Sequence, residues 1–188
     1  AHATLFADTF DDEMVWSVRK IPNVTAAEGR RSVTVRLLVG EDEWRDLSLN
    51  AIADYKDIQV NKVWPISGAW PPDQHEVLIE RSSLGLTNAE VGDTVTIELS
   101  SGKLRTMQIS GLVHDINQPP AQFTGQPIGF IDSATLEWLG ASSDYDELSI
   151  TVSSDGDAGE LPSEEYIKQV AAEVSNKLEK SGRTVYFT

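Results

Sequence analysis

The stretch from Asp93 to Val113 reads DTVTIELSSGKLRTMQISGLV. Apolar and polar residues alternate on both sides of Ser100-Ser101-Gly102, which is the pattern of two half-buried strands joined by a tight turn. The two strands are expected to bring similar residue types to the same face. Val95, Ile97 and Leu99 come from the first strand and Met107, Ile109 and Gly111 from the second. The stretch therefore predicts a hairpin within a β-rich body.

The residues on either side extend this β-rich body. Trp64 to Pro72 contains three prolines, which exclude a regular helix and a central strand, so we interpret it as a linker or boundary. Glu76 to Glu80 is a short strand. Downstream, a loop rich in Pro, Gln and Asn runs from Asp115 to Pro127, Ile128 to Ile131 is a strand, and Asp132 to Leu139 is a short helix with a polar cap.

Helical and strand patterns also precede this body. Phe10, Met14, Val15, Val18 and Ile21 have helical spacing, so a helix is expected from about Asp11 to Ile21, before Pro22. Alternating apolar residues then predict a hairpin of two strands, Ser32 to Val39 and Leu47 to Ala53.

The same two kinds of element follow the body. Leu148 to Val152 alternates as a strand. A helix is predicted after Ser163, which caps it, and it ends at Gly182. Thr184 to Phe187 is a final strand. The order indicates an α+β fold in which an α/β subdomain (1–63 and 140–188) is interrupted by a β-rich subdomain (64–139). The first helix and the last strand are then expected in one subdomain.

The composition excludes several classes of function. The chain has 30 acidic and 15 basic residues, a formal net charge of −15, which repels nucleic acids and anionic lipid headgroups. It has no cysteine, so disulfides and cysteine nucleophiles are excluded. No Gly-x-Ser-x-Gly elbow and no phosphate-binding loop is present. We assign no catalytic residue, no cofactor and no metal ligand.

Two possible metal motifs are better interpreted as structure. His114-Asp115 resembles the His-Asp pair of metal phosphohydrolases. Such sites need several further His and Asp ligands, and only two further histidines exist. We expect His114 to end a strand and Asp115 to begin a loop. Asp155-Gly156-Asp157 lacks the downstream glutamate of a calcium loop and is predicted to be a turn.

Two aromatic segments are candidates for binding a partner. Trp64, Trp70 and Pro71 could form a platform, although packing of a Trp at the subdomain junction is the favoured interpretation. The loop from Ile116 to Pro127 is the better candidate, because it is long and polar and carries one aromatic residue. Its candidate contact residues are Pro119, Pro120 and Phe123.

The middle of the chain resembles the extracytoplasmic core domain of FtsX/MacB-like ABC transporter permeases. The resemblance lies in the order of short motifs over about Phe10 to Leu139: IPNV (21–24), GAWP (68–71), EVLIE (76–80), LGL (84–86), VGDTV (91–95) and ISGLVHD (109–115). It implies a porter-like and a sabre-like subdomain between two membrane helices.

The resemblance also implies a function and partners. The domain would transmit ATP-driven motion of the membrane helices to substrate or partner handling outside the membrane, without catalysis of its own. The implied partners are a cytoplasmic ATPase, a second permease copy and an extracytoplasmic protein. The alternative is a free-standing secreted or cell-wall module that binds glycan or protein. No stretch in the sequence reaches the roughly 20 apolar residues of a membrane span. The first residue is not Met, and together with the resemblance this leads us to expect a piece cut from a longer protein.

Overall fold

The computed structural model describes residues 1–156 and 160–187. Asp157, the last residue of the predicted 155–157 turn, lies outside the described residues. The chain forms two compact units: Ala1–Arg31, Gln59–Asn61 and Asp144–Thr188 in the first, Ser32–Ile58 and Lys62–Ser143 in the second.

The described part of the chain contains ten strands and five helices. The strands are β1 (Ala3–Phe10), β2 (Val24–Gly40), β3 (Glu43–Ala51), β4 (Val63–Gly68), β5 (Glu76–Glu80), β6 (Thr94–Glu98), β7 (Leu104–Asp115), β8 (Ile128–Ile131), β9 (Tyr145–Val152) and β10 (Val185–Phe187). The helices are α1 (Asp12–Val18), α2 (Leu84–Thr87), α3 (Ala121–Thr124), α4 (Ser133–Trp138) and α5 (Glu164–Lys180).

The first unit is an antiparallel sheet in the order β10-β1-β9-β2, where β2 contributes its first half. The buried faces of α1 and α5 share one core with the sheet; it includes Leu5, Phe10, Val18, Leu148, Ile150, Val170, Val174 and Leu178. The unit thus combines helices and an antiparallel sheet around one core.

Local sequence explains why α5 forms. The Ser163 hydroxyl accepts a hydrogen bond from the Tyr166 amide, glutamates occupy the first turn and lysines the last turn. These charges oppose the partial charges at the two helix ends. Gly182, with φ of 86°, lies just after the end of the helix, where a side chain would strain the backbone.

The second unit contains a closed ring of strands. The second half of β2 pairs with β3, and the ring continues through β8, β5, β7 and β6 back to β2. Closure leaves no free edge within the ring. The core includes Leu37, Leu49, Ile79, Ile97, Met107, Ile109 and Ile131.

The sequence-based division of the chain needs one correction. Residues 32–58, 62–63 and 140–143 were assigned to the porter-like subdomain, but they belong to the compact second unit. The reason is pairing: Arg36 and Leu37 of β2 pair with β6, and β3 pairs with β8. The boundary falls inside β2, where no change in composition marks it.

One further prediction is wrong at the level of elements, and one strand was missed. Trp64–Gly68, part of the Trp64–Pro72 stretch interpreted as a linker, lies in strand β4, which pairs with β7 on one side. Pro65 is tolerated there because β4 lies at the end of the strand order and its register is irregular after Pro65. Strand β1 was not predicted at all.

The geometric prediction about the chain ends is confirmed. Helix α1 and strand β10 lie in the same unit. β10 runs antiparallel to β1, with Phe187 opposite Phe6 and Val185 opposite Ala7. The chain therefore enters β1 and leaves β10 at the same end of this sheet.

Candidate partner-binding site

The loop between β7 and β8 is held in place by hydrogen bonds at both ends. At its start, the buried Asp115 carboxylate accepts bonds from the amide and the side chain of Asn117, both at 2.8 Å. In its middle, the Ala121 amide donates to the Ser82 hydroxyl at 3.0 Å. At its end, the Ile128 amide donates to the Ser83 hydroxyl at 2.9 Å. The loop is long, but its backbone is anchored.

A buried carboxylate lies behind the Ser82 anchor. Glu80, 4% exposed, accepts bonds from the amide and the hydroxyl of Ser82. His114 Nδ1 lies 3.5 Å from Glu80 Oε1 and is a buried atom with no hydrogen-bond partner in the described structure. These residues fix the corner on which the loop rests.

The sequence assigned no metal ligand at His114. Within residues 1–156 and 160–187, no group of three or more His, Cys, Asp or Glu side chains could hold a metal ion. His114 is the penultimate residue of β7 and Asp115 is the last, so the strand is one residue longer than expected there.

The loop presents two large apolar side chains to solvent. Phe123 is 85% exposed and Ile116 is 64% exposed. Phe123 belongs to the short helix α3, which rests on the fully buried Ala121 and closes with a bond from the Gly125 amide to the Ala121 carbonyl at 2.7 Å. The ring of Phe123 is thus exposed on an ordered turn.

A small cleft of about 160 Å³ lies beside this turn. Its lining has no charged side chain and consists of Ser48, Asn50, Gln118, Pro119, Thr124, Gln126 and Ile128. Ser48 and Asn50 reach it because β3 runs parallel to β8, with Ser48 opposite Ile128 and Asn50 opposite Phe130. Sequence reasoning missed these two residues, since nothing local in the sequence signals a parallel pairing of strands about 80 positions apart.

The residues of the predicted tryptophan platform do not form one exposed surface. Trp70 is half-buried and packs edge-on against Tyr55, with ring centroids 4.9 Å apart. Pro71 is exposed, and Trp64 on β4 is 45% exposed. Trp70 therefore belongs mainly to the interior of the second unit and not to a binding surface.

The first unit has a wider groove. It has a volume of about 850 Å³ and lies between β1 and α5, lined by residues that include Ala3, Phe6, Ile167, Ala171 and Ala172. None of the catalytic or metal-binding patterns considered in the sequence falls in this groove.

Comparisons with solved structures identify the fold. The extracellular domain of the noncanonical ABC-type transporter YknZ from Gram-positive bacteria has a TM-score of 0.60 and 14% identity, over 98% of this chain and 100% of that one. The periplasmic region of MacB from Actinobacillus actinomycetemcomitans has a TM-score of 0.57 and 11% identity, over 98% and 87% of the two chains. The chain has the fold of these two transporter domains.

This likeness confirms the FtsX/MacB-like, α+β fold expected from the order of motifs. No protein-family model matches the sequence, and no curated protein matches it. In the described part of the chain, every helix is too short or too polar to cross a membrane.

Proposed function

We propose that this chain is the extracytoplasmic domain of an ABC transporter permease of the FtsX/MacB type. The observation that carries the proposal is the likeness to two transporter domains over 98% of the chain. In this role the first unit is the porter-like part and the second unit is the sabre-like part.

The chain ends support the same role. A domain looped out between two membrane helices must return both ends to one membrane surface. The start of β1 and the end of β10 lie on adjacent strands at one end of the first sheet, as that arrangement requires.

The proposed role is mechanical and not catalytic. A cytoplasmic ATPase drives the membrane helices of two permease copies, and this domain moves with them to handle a substrate or partner outside the membrane. Phe123, Pro119 and Pro120 are the proposed partner contacts. We drop Trp70, because it packs on Tyr55, and with it the neighbouring Pro71.

Isolation of the full-length protein from membranes tests this proposal. A tagged full-length protein, extracted in mild detergent, is expected to co-isolate with an ATPase subunit in a 1:1 ratio of permease to ATPase. Recovery of the tagged protein from the culture medium or the cell wall, free of any ATPase, would instead support the secreted binding module.

A further inference from the structure

We propose that a cleft along strand β3 binds a neutral oligosaccharide that carries N-acetyl groups. The cleft joins two cavities, of about 500 and 160 Å³, which share Thr124 and Gln126 in their linings. We call it the β3 cleft; its wall on the strand side is formed by Trp44, Asp46, Ser48 and Asn50. This inference rests on the proposed function, because a glycan of the cell envelope lies on the outer side of the membrane.

The first argument is the row that these four side chains form on β3. Leu47, Leu49 and Ala51 belong to the core of the second unit, so the residues between them face outward. Alternate residues lie about 6.6 Å apart along a strand, and the row from Trp44 to Asn50 therefore spans roughly 20 Å. It begins with an indole and continues with a carboxylate, a hydroxyl and a carboxamide. An elongated ligand with polar groups along its length can contact each of them in turn.

The second argument is the fixed position of the indole at one end of the row. The Arg36 guanidinium lies over the Trp44 ring, 5.1 Å from its centroid, and is itself bonded to Glu98 at 2.8 Å. Arg36 and Glu98 border a separate cavity, so Trp44 faces the β3 cleft with a part of its ring that Arg36 does not cover. The apolar C–H face of a pyranose ring packs on such a surface. Because the indole is already held, little conformational entropy is lost when the sugar binds.

The third argument is the pair of opposite charges next to the indole. Arg45 and Asp46 both line the β3 cleft. Arg45 donates to the Gly125 carbonyl at 3.4 Å, and its guanidinium has further donors, whereas the Asp46 carboxylate only accepts. Sugar hydroxyls donate and accept, so they suit both groups. The two charges cancel, and an anionic ligand would in addition meet the net charge of −15 of the chain. The ligand is therefore expected to be neutral.

The fourth argument concerns the other end of the cleft, where carboxamide side chains favour N-acetylated sugars. Asn50, Gln118 and Gln126 line the 160 Å³ part. Each carboxamide has an acceptor oxygen and two donor hydrogens, so it can pair with both the C=O and the N–H of an acetamido group. A sugar that has a hydroxyl in place of that group offers one oxygen for the same bonds. We therefore expect the N-acetylated oligosaccharide to bind more tightly.

Calorimetric titration of the full-length protein in lipid nanodiscs tests this inference. Nanodiscs avoid detergents with sugar head groups, which would compete for the site. The probes are tetra-N-acetylchitotetraose and cellotetraose, which has the same linkage and no N-acetyl group. We expect the N-acetylated probe to bind and cellotetraose to bind at least about tenfold more weakly, because the carboxamides then lose their paired bonds.

Two variants and a matched control locate the site. Trp44→Ala should weaken binding of the N-acetylated probe about thirtyfold. Gln126→Ala should weaken it about fivefold through the loss of one carboxamide, and leaves the indole in place. The control is Trp16→Ala, because Trp16 is 58% exposed, also has a cation over its ring and lies in the first unit. That change should alter the affinity by less than about twofold. Thermal unfolding confirms that each variant is folded.

Three results would overturn the inference: no binding of the N-acetylated probe, equal affinity for cellotetraose, or equal losses in Trp44→Ala and Trp16→Ala. If the Trp44→Ala protein does not fold, unchanged affinity in Gln126→Ala also overturns it. Co-isolation of the ATPase is measured independently of these titrations. If the ATPase co-isolates and the saccharide does not bind, the proposed function stands and this inference alone fails.

Discussion

Arg30 is a buried cation of the first unit, 6% exposed, that fastens a distant segment. It lies 3.0 Å from Glu28 and donates to the carbonyls of Val60 and Asn61 at 2.9 and 2.7 Å. Glu28 in turn accepts bonds from the amides of Gln59 and Val60. The pair thus explains why residues 59–61 belong to the first unit.

We expect Arg30→Ala to lower the free energy of unfolding by about 3 kcal/mol, because it removes the bonds to Val60 and Asn61 and leaves Glu28, whose side chain is 14% exposed, without its counter-charge. Arg36→Ala is the control, since Arg36 pairs with Glu98 at 2.8 Å but its side chain is 50% exposed. Arg36→Ala should lower the free energy of unfolding by less than about 1 kcal/mol. Urea unfolding measures both. Equal losses for the two variants would show that Arg30 has no special role.

Gly129 is a position where the ring of strands in the second unit has no spare volume. A Cβ there would lie 2.7 Å from Val77 Cγ2 and 3.0 Å from Leu49 Cδ2. The same change at Gly85, in α2, meets no heavy atom within 4 Å.

Gly129→Ala should therefore destabilise the protein by about 1 to 3 kcal/mol through overpacking. Gly85→Ala should leave the stability unchanged or raise it slightly, because alanine restricts the unfolded chain more than glycine does. Thermal unfolding of the two variants compares them. A stable Gly129→Ala protein would mean that the strands around β8 are less tightly packed than described.

At the scale of elements, a carboxylate of β1 adds to the backbone pairing that holds strand β10. Asp8 accepts bonds from the Thr184 amide, at 2.8 Å, and from the Tyr186 hydroxyl. The bond from Tyr186 and then the bond from Thr184 lower the pKa of Asp8 below its ordinary value of 3.8. Asp8 therefore favours the docked strand only when it is ionised.

The sign of the pH effect follows from that lowered pKa. The contribution of Asp8 is complete above pH 3.8 and is lost as the pH falls through its lower folded-state pKa. In an acid titration followed by NMR, the Thr184 and Tyr186 signals should move with a midpoint below 3.8. Asp8→Asn should abolish that transition. A midpoint at or above 3.8 contradicts this account of β10.

Elements with a strong local signal could be predicted from the sequence. The cap at Ser163 and the apolar stripe after it predicted α5. Short apolar runs predicted β5 and β8 with the bounds that the structure has. β1 was missed because Phe6 lies on the exposed side and breaks the alternation. The first half of β2 was missed because its buried positions include the charged Arg30, whose partners are Glu28 and the distant 59–61 segment.

The candidate site was predicted only in part, for a similar reason. Composition alone pointed to the 116–127 loop and to Phe123. The anchors Ser82 and Ser83 and the cleft residues Ser48 and Asn50 come from other elements, and only the parallel pairing of β3 with β8 and the fold of the ring bring them to the loop.

At the scale of the whole molecule, the account requires that this domain lies outside the cell membrane while the full-length protein is embedded in it. The chain lacks cysteine, so one introduced thiol gives a specific label within it. Leu104→Cys is suitable, because Leu104 is 55% exposed and lies outside the loop between β7 and β8.

The most direct measurement is labelling of that variant of the full-length protein with a membrane-impermeant maleimide. Where an outer membrane is present, it is first made permeable. We expect the membrane fraction to contain the protein and the thiol to react fully before the inner membrane is broken. A thiol that reacts only after lysis, or a protein found in the soluble fraction, would contradict the assignment as an extracytoplasmic permease domain.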